Sequence, residues 1–241
     1  MTEYRPIWEY FIFNGRNSLD FNCKITAGDY GSASRDIESV SVPGHSGDYT
    51  IDNKRFNNYE MTIPAYIPDN FRDSYAALTD HLMKSPGYCR YEDSFHPDFY
   101  RMARFSGPVD PDVYFTLAGR FDLNFDCMPQ KWLKSGEIPI TVTSDKPVTL
   151  HNPTNMTAKP LIKVVSGTGT IIVGSTAVSL EANNGNTIID CELMDAYEGS
   201  QNRNGDLTLL SGSFPELPSG NTTIEVDPGV VIEITPRWWR I

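Results

Sequence analysis

The sequence predicts a mostly β protein, in which an N-terminal β-sheet domain with a single α-helix is followed by a β-sandwich. Along several segments, apolar residues alternate with polar ones at period two, the pattern of strands with one buried face. Helical spacing is convincing in one segment. Near Gly136 the composition changes, because aromatic residues become sparse while Thr, Val, Ile, Gly and Asn dominate. We therefore predict domains at residues 1–136 and 137–241.

The first predicted element is a β-hairpin. Residues 8–13 are almost entirely aromatic or β-branched, and Asn14-Gly15 is a dipeptide favoured in two-residue hairpin turns. The return arm, residues 18–25, alternates and is predicted as a strand. Its apolar face is expected to comprise Leu19, Phe21, Cys23 and Ile25.

Two further extended segments follow. Residues 37–42 alternate again, and a loop with two glycines, Gly44-His45-Ser46-Gly47, separates them from the strand that resumes at residues 49–51. Residues 59–67 are predicted as a strand interrupted by Pro64, which suggests an edge position or a bulge.

The predicted helix covers residues 70–85, with Asp69 or Asn70 as the N-cap and Pro86-Gly87 as the stop. Its apolar residues share one face, so the helix should lie against a sheet. These residues are Phe71, Tyr75, Leu78 and Leu82.

After the helix, strands are predicted at residues 88–92, 99–105 and 120–127, the last being the cleanest alternation in the chain. Met128-Pro129 is predicted to end it, and residues 130–136 to form a polar bridge. Short strands separated by turns then predict the sandwich. They cover residues 138–142, 148–150, 161–165, 170–173, 178–180, 187–191, 221–226 and 230–234.

Composition excludes several classes of function. The formal charge of −11 and the pI near 4.7 disfavour nucleic-acid binding, which needs a basic stripe. A basic segment followed by an apolar run is missing at residues 1–6, and no stretch of eighteen apolar residues occurs, so we expect a soluble protein made in the cytoplasm without membrane insertion. Buried free thiols are predicted for the widely spaced Cys23, Cys89, Cys127 and Cys191.

No motif assembles catalytic chemistry. In Gly44-His45-Ser46-Gly47 the closing glycine of a nucleophile elbow is replaced by Asp48, and a strand follows where a helix belongs. Neither the acidic pairs nor the histidines show diagnostic spacing, so we predict no catalytic residue, no metal, no cofactor and no enzymatic activity. The pairs are Asp110 with Asp112 and Asp122 with Asp126; the histidines are His45, His81, His96 and His151.

Trp238 and Trp239, flanked by Arg237 and Arg240, allow two interpretations. Tryptophan usually spends its large area on burial, which favours packing in the core or between domains. Trp and Arg are also enriched at binding hot spots, and adjacent indoles can stack on sugars. Binding residues therefore stay undetermined from the sequence.

The order of these parts resembles the distal tail protein family of long-tailed, non-contractile bacteriophages (siphophages), over nearly the whole chain. The resemblance is carried by residues 11–16 leading into 19–21, by Ser41-Val42-Pro43-Gly44 leading to Gly47-Asp48-Tyr49, by the helix, by residues 119–129, and by Asn152-Pro153-Thr154 with Lys159-Pro160-Leu161-Ile162.

The resemblance implies a structural virion protein of the tail tip, or baseplate. The N-terminal domain would build a hexameric ring and the C-terminal domain would be a galectin-like β-sandwich. Implied partners are other copies of the chain, the tail tube protein, a tail-associated spike or lysin protein and a receptor-binding protein. The alternative function is a carbohydrate-binding module that contacts the host cell wall, motivated by the sandwich and the tryptophan pair.

Overall fold

The computed structural model describes residues 9–107, 117–182 and 185–241. They form two compact units, one reaching Lys131 and including Ile241, the other running from Trp132 to Arg240. Within the described residues the chain is mostly β, with one α-helix in the first unit, which confirms the predicted fold class. The domain limits at 1–136 and 137–241 stay a prediction.

The first unit is built on one large sheet. Its described strands follow the order β2-β1-β7-β8-β9-β6-β3, while β4 and β5 form a separate two-stranded sheet. The elements are β1 (Phe11–Phe13), β2 (Arg16–Asn17), β3 (Lys24–Ile25), β4 (Arg35–Val40), β5 (Tyr49–Phe56), β6 (Tyr59–Ile67), α1 (Phe71–Met83), β7 (Cys89–Asp93), β8 (Phe99–Phe105) and β9 (Gly119–Leu133).

The predicted helix is confirmed. Phe71, Leu78 and Leu82 are buried in the same cluster as the apolar residues of β9, and the Tyr75 ring lies 5.4 Å from that of Phe121. The predicted cap is wrong in its chemistry, because Asn70 adopts a left-handed conformation (φ 45°) and its side chain makes no capping hydrogen bond. Burial of one helical face therefore fixes α1 without a side-chain cap.

The first hairpin is confirmed at its turn but wrong in its return arm. Asn14 and Gly15 both have positive φ, as a tight hairpin turn requires. The arm leaves strand geometry after Asn17, whose side chain accepts a hydrogen bond from Leu19 N and starts a 3-10 turn at Ser18–Phe21. Leu19 is 39% exposed, not buried as the alternation predicts.

Two prolines have different consequences from those predicted. β6 runs through Pro64 without interruption. The ring nitrogen of Pro64 faces the same neighbour as Thr62 N, which donates to Asp29 O. Regular pairing with β3 has already ended there, so the missing N–H of Pro64 costs no hydrogen bond of that ladder. β9 continues past Pro129 to Leu133, although Met128-Pro129 is predicted to end it. Since β6 pairs with β9 only up to Cys127, the proline removes no hydrogen bond from that ladder.

The second unit is a β-sandwich around one apolar cluster. Among its described strands, one sheet has the order β10-β20-β12-β15-β16-β17 and the other β11-β19-β13-β14-β18. The eight predicted strands are confirmed; β16, β17, β18 and β21 are missing from the prediction. The strands are β10 (Ile140–Thr143), β11 (Val148–Asn152), β12 (Leu161–Ser166), β13 (Gly169–Val173), β14 (Thr176–Leu180), β15 (Thr187–Asp190), β16 (Asp195–Glu198), β17 (Gln201–Asn202), β18 (Leu207–Leu209), β19 (Gly220–Val226), β20 (Val231–Thr235) and β21 (Trp239–Arg240).

A partly buried ion pair closes one end of β15. The Arg237 guanidinium donates two hydrogen bonds to the Asp190 carboxylate, at 2.7 and 2.9 Å, and the carboxylate also accepts from Glu192 N and Leu193 N. Burial alone would raise the pKa of Asp190, but these hydrogen bonds and the Arg237 charge outweigh it and hold the pKa below its usual value.

This pair predicts an acid-sensitive contribution to the stability of the second unit. A carboxyl with a folded pKa below its unfolded value of about 3.9 stabilises above about pH 4, and this stability is lost as the pH falls through the folded pKa. We expect Asp190→Asn to flatten the decline in melting temperature below about pH 4, as followed by circular dichroism. The exposed Asp145→Asn control should retain the wild-type decline; the same decline in both variants would refute the assignment.

Candidate assembly surface

Among the described elements of the first unit, the β4–β5 hairpin is the most exposed. Its strands pair only with each other among the described strands, and nearly all of their residues are exposed. The predicted loop that joins them is confirmed: Gly44 and Gly47 have φ values of 85° and 90°, and His45 N donates to Val42 O. An isolated two-stranded hairpin is marginally stable in water, so additional contacts are needed to hold it.

Ion pairs and backbone contacts supply part of that stability. Arg35 contacts Asp52 at 2.8 Å and Arg55 contacts Asp36 at 2.5 Å. At the base, Asn57 N donates to Ser34 O at 2.8 Å. Both pairs are largely exposed to solvent, so water and salt screen them and they contribute little to stability.

The register divides the hairpin into two unlike faces. Val40 lies opposite Tyr49, and Glu38 opposite Ile51. Directly opposed residues of an antiparallel pair share a face, and residues two apart along a strand also share one. One face therefore carries Val40, Tyr49 and Ile51, which are 41–55% exposed; we call these three residues the apolar face.

The opposite face is more polar. Ser39 lies opposite Thr50, and Ile37 lies opposite Asp52. Ile37 is the apolar exception on this face, at 46% exposed. Exposed apolar residues are ordinary when scattered singly, whereas Val40, Tyr49 and Ile51 lie together on one face and form a candidate contact surface. The sequence contains the alternation. The structure adds that no other described strand pairs with the hairpin and that these side chains are exposed.

A buried ion pair fixes the sheet of the same unit. Arg101 Nη1 donates to Asp93 Oδ2 at 3.2 Å, and its Nε donates to Tyr59 Oη at 3.2 Å. Arg101 is 1% exposed and lies over the rings of Tyr30 and Phe99. Burial raises the pKa of Tyr59 to about 12, so its hydroxyl stays protonated. These contacts join β6, β7 and β8.

The histidines are not brought together. His81 Nε2 lies 2.9 Å from Phe13 O, His96 Nδ1 lies 2.9 Å from Asp93 Oδ1, and His151 Nδ1 lies 2.8 Å from Asn221 Oδ1. His45 Nδ1 lies 3.2 Å from Gly47 O in the hairpin loop. Each therefore has a separate local partner. Within the described ranges, no cluster of three or more potential metal ligands is found.

The acidic pairs have different outcomes. Asp110 and Asp112 lie outside the described residues. Asp122 is exposed on β9, while Asp126 accepts hydrogen bonds from Tyr88 Oη at 2.6 Å and from Arg104 at 3.0 Å. Asp126 therefore serves a surface network of the sheet.

The cysteines are all free. Cys23, Cys127 and Cys191 are buried, as predicted, whereas Cys89 is half-buried. Burial raises the pKa of each of the three buried thiols to about 12. Because the thiolate is the nucleophile, a raised pKa disfavours reaction of these thiols at neutral pH.

The tryptophan pair divides between two environments. Trp238 is 5% exposed and belongs to the core of the second unit, which agrees with the packing interpretation. Trp239 is half-buried; its indole N–H donates to Thr157 O at 3.0 Å, and its ring lies 6.5 Å from that of Trp132. The two indoles therefore do not form an open platform.

Within the described part of the chain, no helix has the length and apolar character needed to cross a bilayer. No protein-family model matches the sequence, and no curated protein matches it.

Comparison with solved structures identifies relatives of the fold. The SPP1 Dit protein, described as a paradigm of the hub adsorption apparatus in phages that infect Gram-positive bacteria, superposes with a TM-score of 0.74 at 15% identity, over 97% of this chain and 99% of that one. Chains of the phage P2 baseplate in its activated conformation, with Ca and with Sr, both give a TM-score of 0.50 at 6% identity. They cover 95% and 94% of this chain, and 98% and 97% of their own. The distal-tail likeness predicted from the sequence is thus confirmed as a likeness of fold.

Proposed function

We propose that the protein is a structural component of a phage tail, a hexameric hub that connects the tail tube to the adhesion apparatus at the tail tip. The fold it shares with a hub protein over 97% of its length supports this role. Fold likeness alone does not carry function, because one fold hosts many functions. The observation that carries the proposal is the uncovered β4–β5 hairpin.

The hairpin is suited to contact a second copy of the chain. Burying the exposed halves of Val40, Tyr49 and Ile51 against a neighbouring subunit would stabilise each subunit interface by about 2–4 kcal/mol in total. The apolar face of one subunit would lie against a different surface of its neighbour, so the contact is heterologous, and heterologous contacts close into rings when the rotation fits. In a ring each hairpin is covered by the next subunit.

The remaining partners of the proposal are proteins of the same tail. They are the tail tube protein, a tail-associated spike or lysin protein and a receptor-binding protein, with the chain located in the virion after synthesis in the host cytoplasm. The formal charge of −11 suits a ring through which DNA passes, because an acidic surface does not retain a polyanion.

We infer no catalytic step for this hub, because the proteins whose fold it shares are hub and baseplate components. The buried thiols are held protonated by their raised pKa, and each histidine has its own local partner. Acid–base or nucleophilic catalysis requires such groups to converge on one place within hydrogen-bond reach.

The proposal is tested by the mass of the purified full chain. Light scattering coupled to size-exclusion chromatography should give six times the 27.0 kDa of one chain, and negative-stain images should show rings. A chain that stays monomeric, even after addition of tube or spike protein from the same phage, would refute the hub.

A further inference from the structure

A polar cleft of the second unit is lined by residues of β13, β14 and β19 together with two loop segments. It has a volume of about 480 Å³ and opens where the β13–β14 turn, the start of β19 and the segments around Thr157 and Glu216 meet. Side chains with hydrogen-bonding groups dominate its lining: Thr157, Ser175, Thr176, Glu216, Asn221 and Thr223. Clefts of about 300–1,000 Å³ are the size range of small-molecule sites.

The frame of the cleft is fixed by buried hydrogen bonds. Asn152 donates to Met156 O at 2.9 Å and to Leu217 O at 3.0 Å, while its carbonyl accepts from Thr154 N and Thr154 Oγ1. Ala158 and Leu217 exchange two backbone hydrogen bonds, at 2.9 and 2.8 Å. The two segments that carry Thr157 and Glu216 are therefore locked together by a buried amide.

Two further bonds complete the frame. Gly174 N donates to Thr223 O at 2.8 Å, which holds the β13–β14 turn against β19. The Trp239 indole donates to Thr157 O at 3.0 Å. A rigid frame lowers the ordering cost of binding, so that weak individual hydrogen bonds to a ligand can add up.

The lining has the hydrogen-bonding character of a site for hydroxyl groups. Threonine and serine hydroxyls both donate and accept, as sugar hydroxyls do. Asn221 Oδ1 is engaged by His151 Nδ1 at 2.8 Å, which orients the amide and leaves its NH₂ group as the donor on offer. Asn221, Thr223, Thr157 and Glu216 are all exposed, so a ligand can reach them.

The charge of the lining selects among polar ligands. Glu216 is the one charged residue among the described lining residues, and no lysine or arginine accompanies it. A phosphate or another anion would meet a carboxylate without a compensating cation, which disfavours it. A neutral, multiply hydroxylated ligand meets hydroxyl, amide and carboxylate groups that can all hydrogen-bond to it.

We propose that this cleft binds a neutral saccharide, of one or two sugar rings, through Asn221, Glu216 and the surrounding threonine hydroxyls. This site goes beyond the hub role and does not depend on ring formation, because every lining residue belongs to the second unit of one chain. It also differs from the tryptophan platform considered from the sequence, since Trp238 is buried and Trp239 serves the frame.

The test is a titration of the full chain with glucose, galactose and N-acetylglucosamine, each up to about 50 mM. Saturation-transfer NMR detects the binding of each sugar. At least one sugar should bind, and Asn221→Ala and Glu216→Ala should each weaken that binding by about tenfold, the effect of one lost hydrogen bond to a polar ligand. Thr141→Ala, an exposed threonine on the other sheet, is the matched control and should bind like the wild type.

Three results would overturn the site. These are no response to any of the three sugars, equal binding by wild type and both cleft variants, or binding of inorganic phosphate in preference to the sugars. Circular dichroism of each variant confirms that a loss of binding is not a loss of folding. Because binding is measured on the chain in whatever oligomeric state it adopts, failure here is distinct from failure of the hub proposal.

Discussion

Arg101→Met is expected to lower the free energy of unfolding of the first unit by about 3–5 kcal/mol, because it leaves the Asp93 carboxylate buried without its cation. Asp93 is 4% exposed and its Oδ2 lies 3.2 Å from the guanidinium, while its Oδ1 keeps the contacts with His96 N and His96 Nδ1. The Tyr59 hydroxyl would lose its donor at the same time. Amide hydrogen exchange of β7 and β8 measures this loss in the first unit alone.

Arg104→Met supplies the matched control. Arg104 lies on the same strand, but its side chain is 48% exposed and pairs with Asp126 at 3.0 Å. Exposed pairs contribute about 0–1 kcal/mol, so this variant should change exchange little. If Arg101→Met and Arg104→Met lower the free energy of unfolding of the first unit by the same amount, the buried Arg101–Asp93 pair does not stabilise the unit in the way proposed.

The second large effect is expected at the hairpin. The double variant Tyr49→Asp with Ile51→Asp puts two carboxylates on the apolar face, where burial against a neighbour would leave them unpaired. Each subunit interface would lose about 2–4 kcal/mol of apolar burial and would also carry the cost of burying charge. We therefore expect the rings to dissociate into monomers. Light scattering would report a sixfold fall in mass, while circular dichroism should show the two units still folded.

A matched double variant on the opposite face separates contact from general repulsion. Ile37→Asp with Thr50→Asp adds the same charge to the same hairpin, and we expect rings to persist. Rings that survive the Tyr49 and Ile51 changes but dissociate with the Ile37 and Thr50 changes would show that the other face is the contact.

Local pattern predicts most of the strands and the helix. The alternation of β9 and the helical spacing of Phe71, Leu78 and Leu82 reflect geometry that repeats every two or 3.6 residues, and the structure buries the residues these patterns select. The Asn14-Gly15 turn is also local, since positive φ is a property of those residues. The pattern fails at Leu19, where the Asn17 side chain competes with strand pairing, and at Pro129, which is tolerated because β6 ends first.

Neither candidate site can be predicted from local pattern. The period-two alternation of β4 and β5 predicts a buried face, but whether a layer covers that face depends on strands far away in the sequence. The cleft is made by residues from 157 to 223, and its frame depends on Asn152 reaching Leu217. Threonine, serine and asparagine at those positions resemble ordinary turn and strand residues until the fold places them together.

The sequence by itself determined the fold class and the position of the helix and most strands, because alternation and turn chemistry act over a few residues. The order of these parts along the chain carried the resemblance to the distal tail family. Tertiary structure alone decided that none of the described strands covers the hairpin, that Arg101 is buried against Asp93, and that a polar cleft opens beside β19. Burial and convergence depend on contacts between residues distant in the chain, and a periodic pattern carries no information about which distant segment lies opposite.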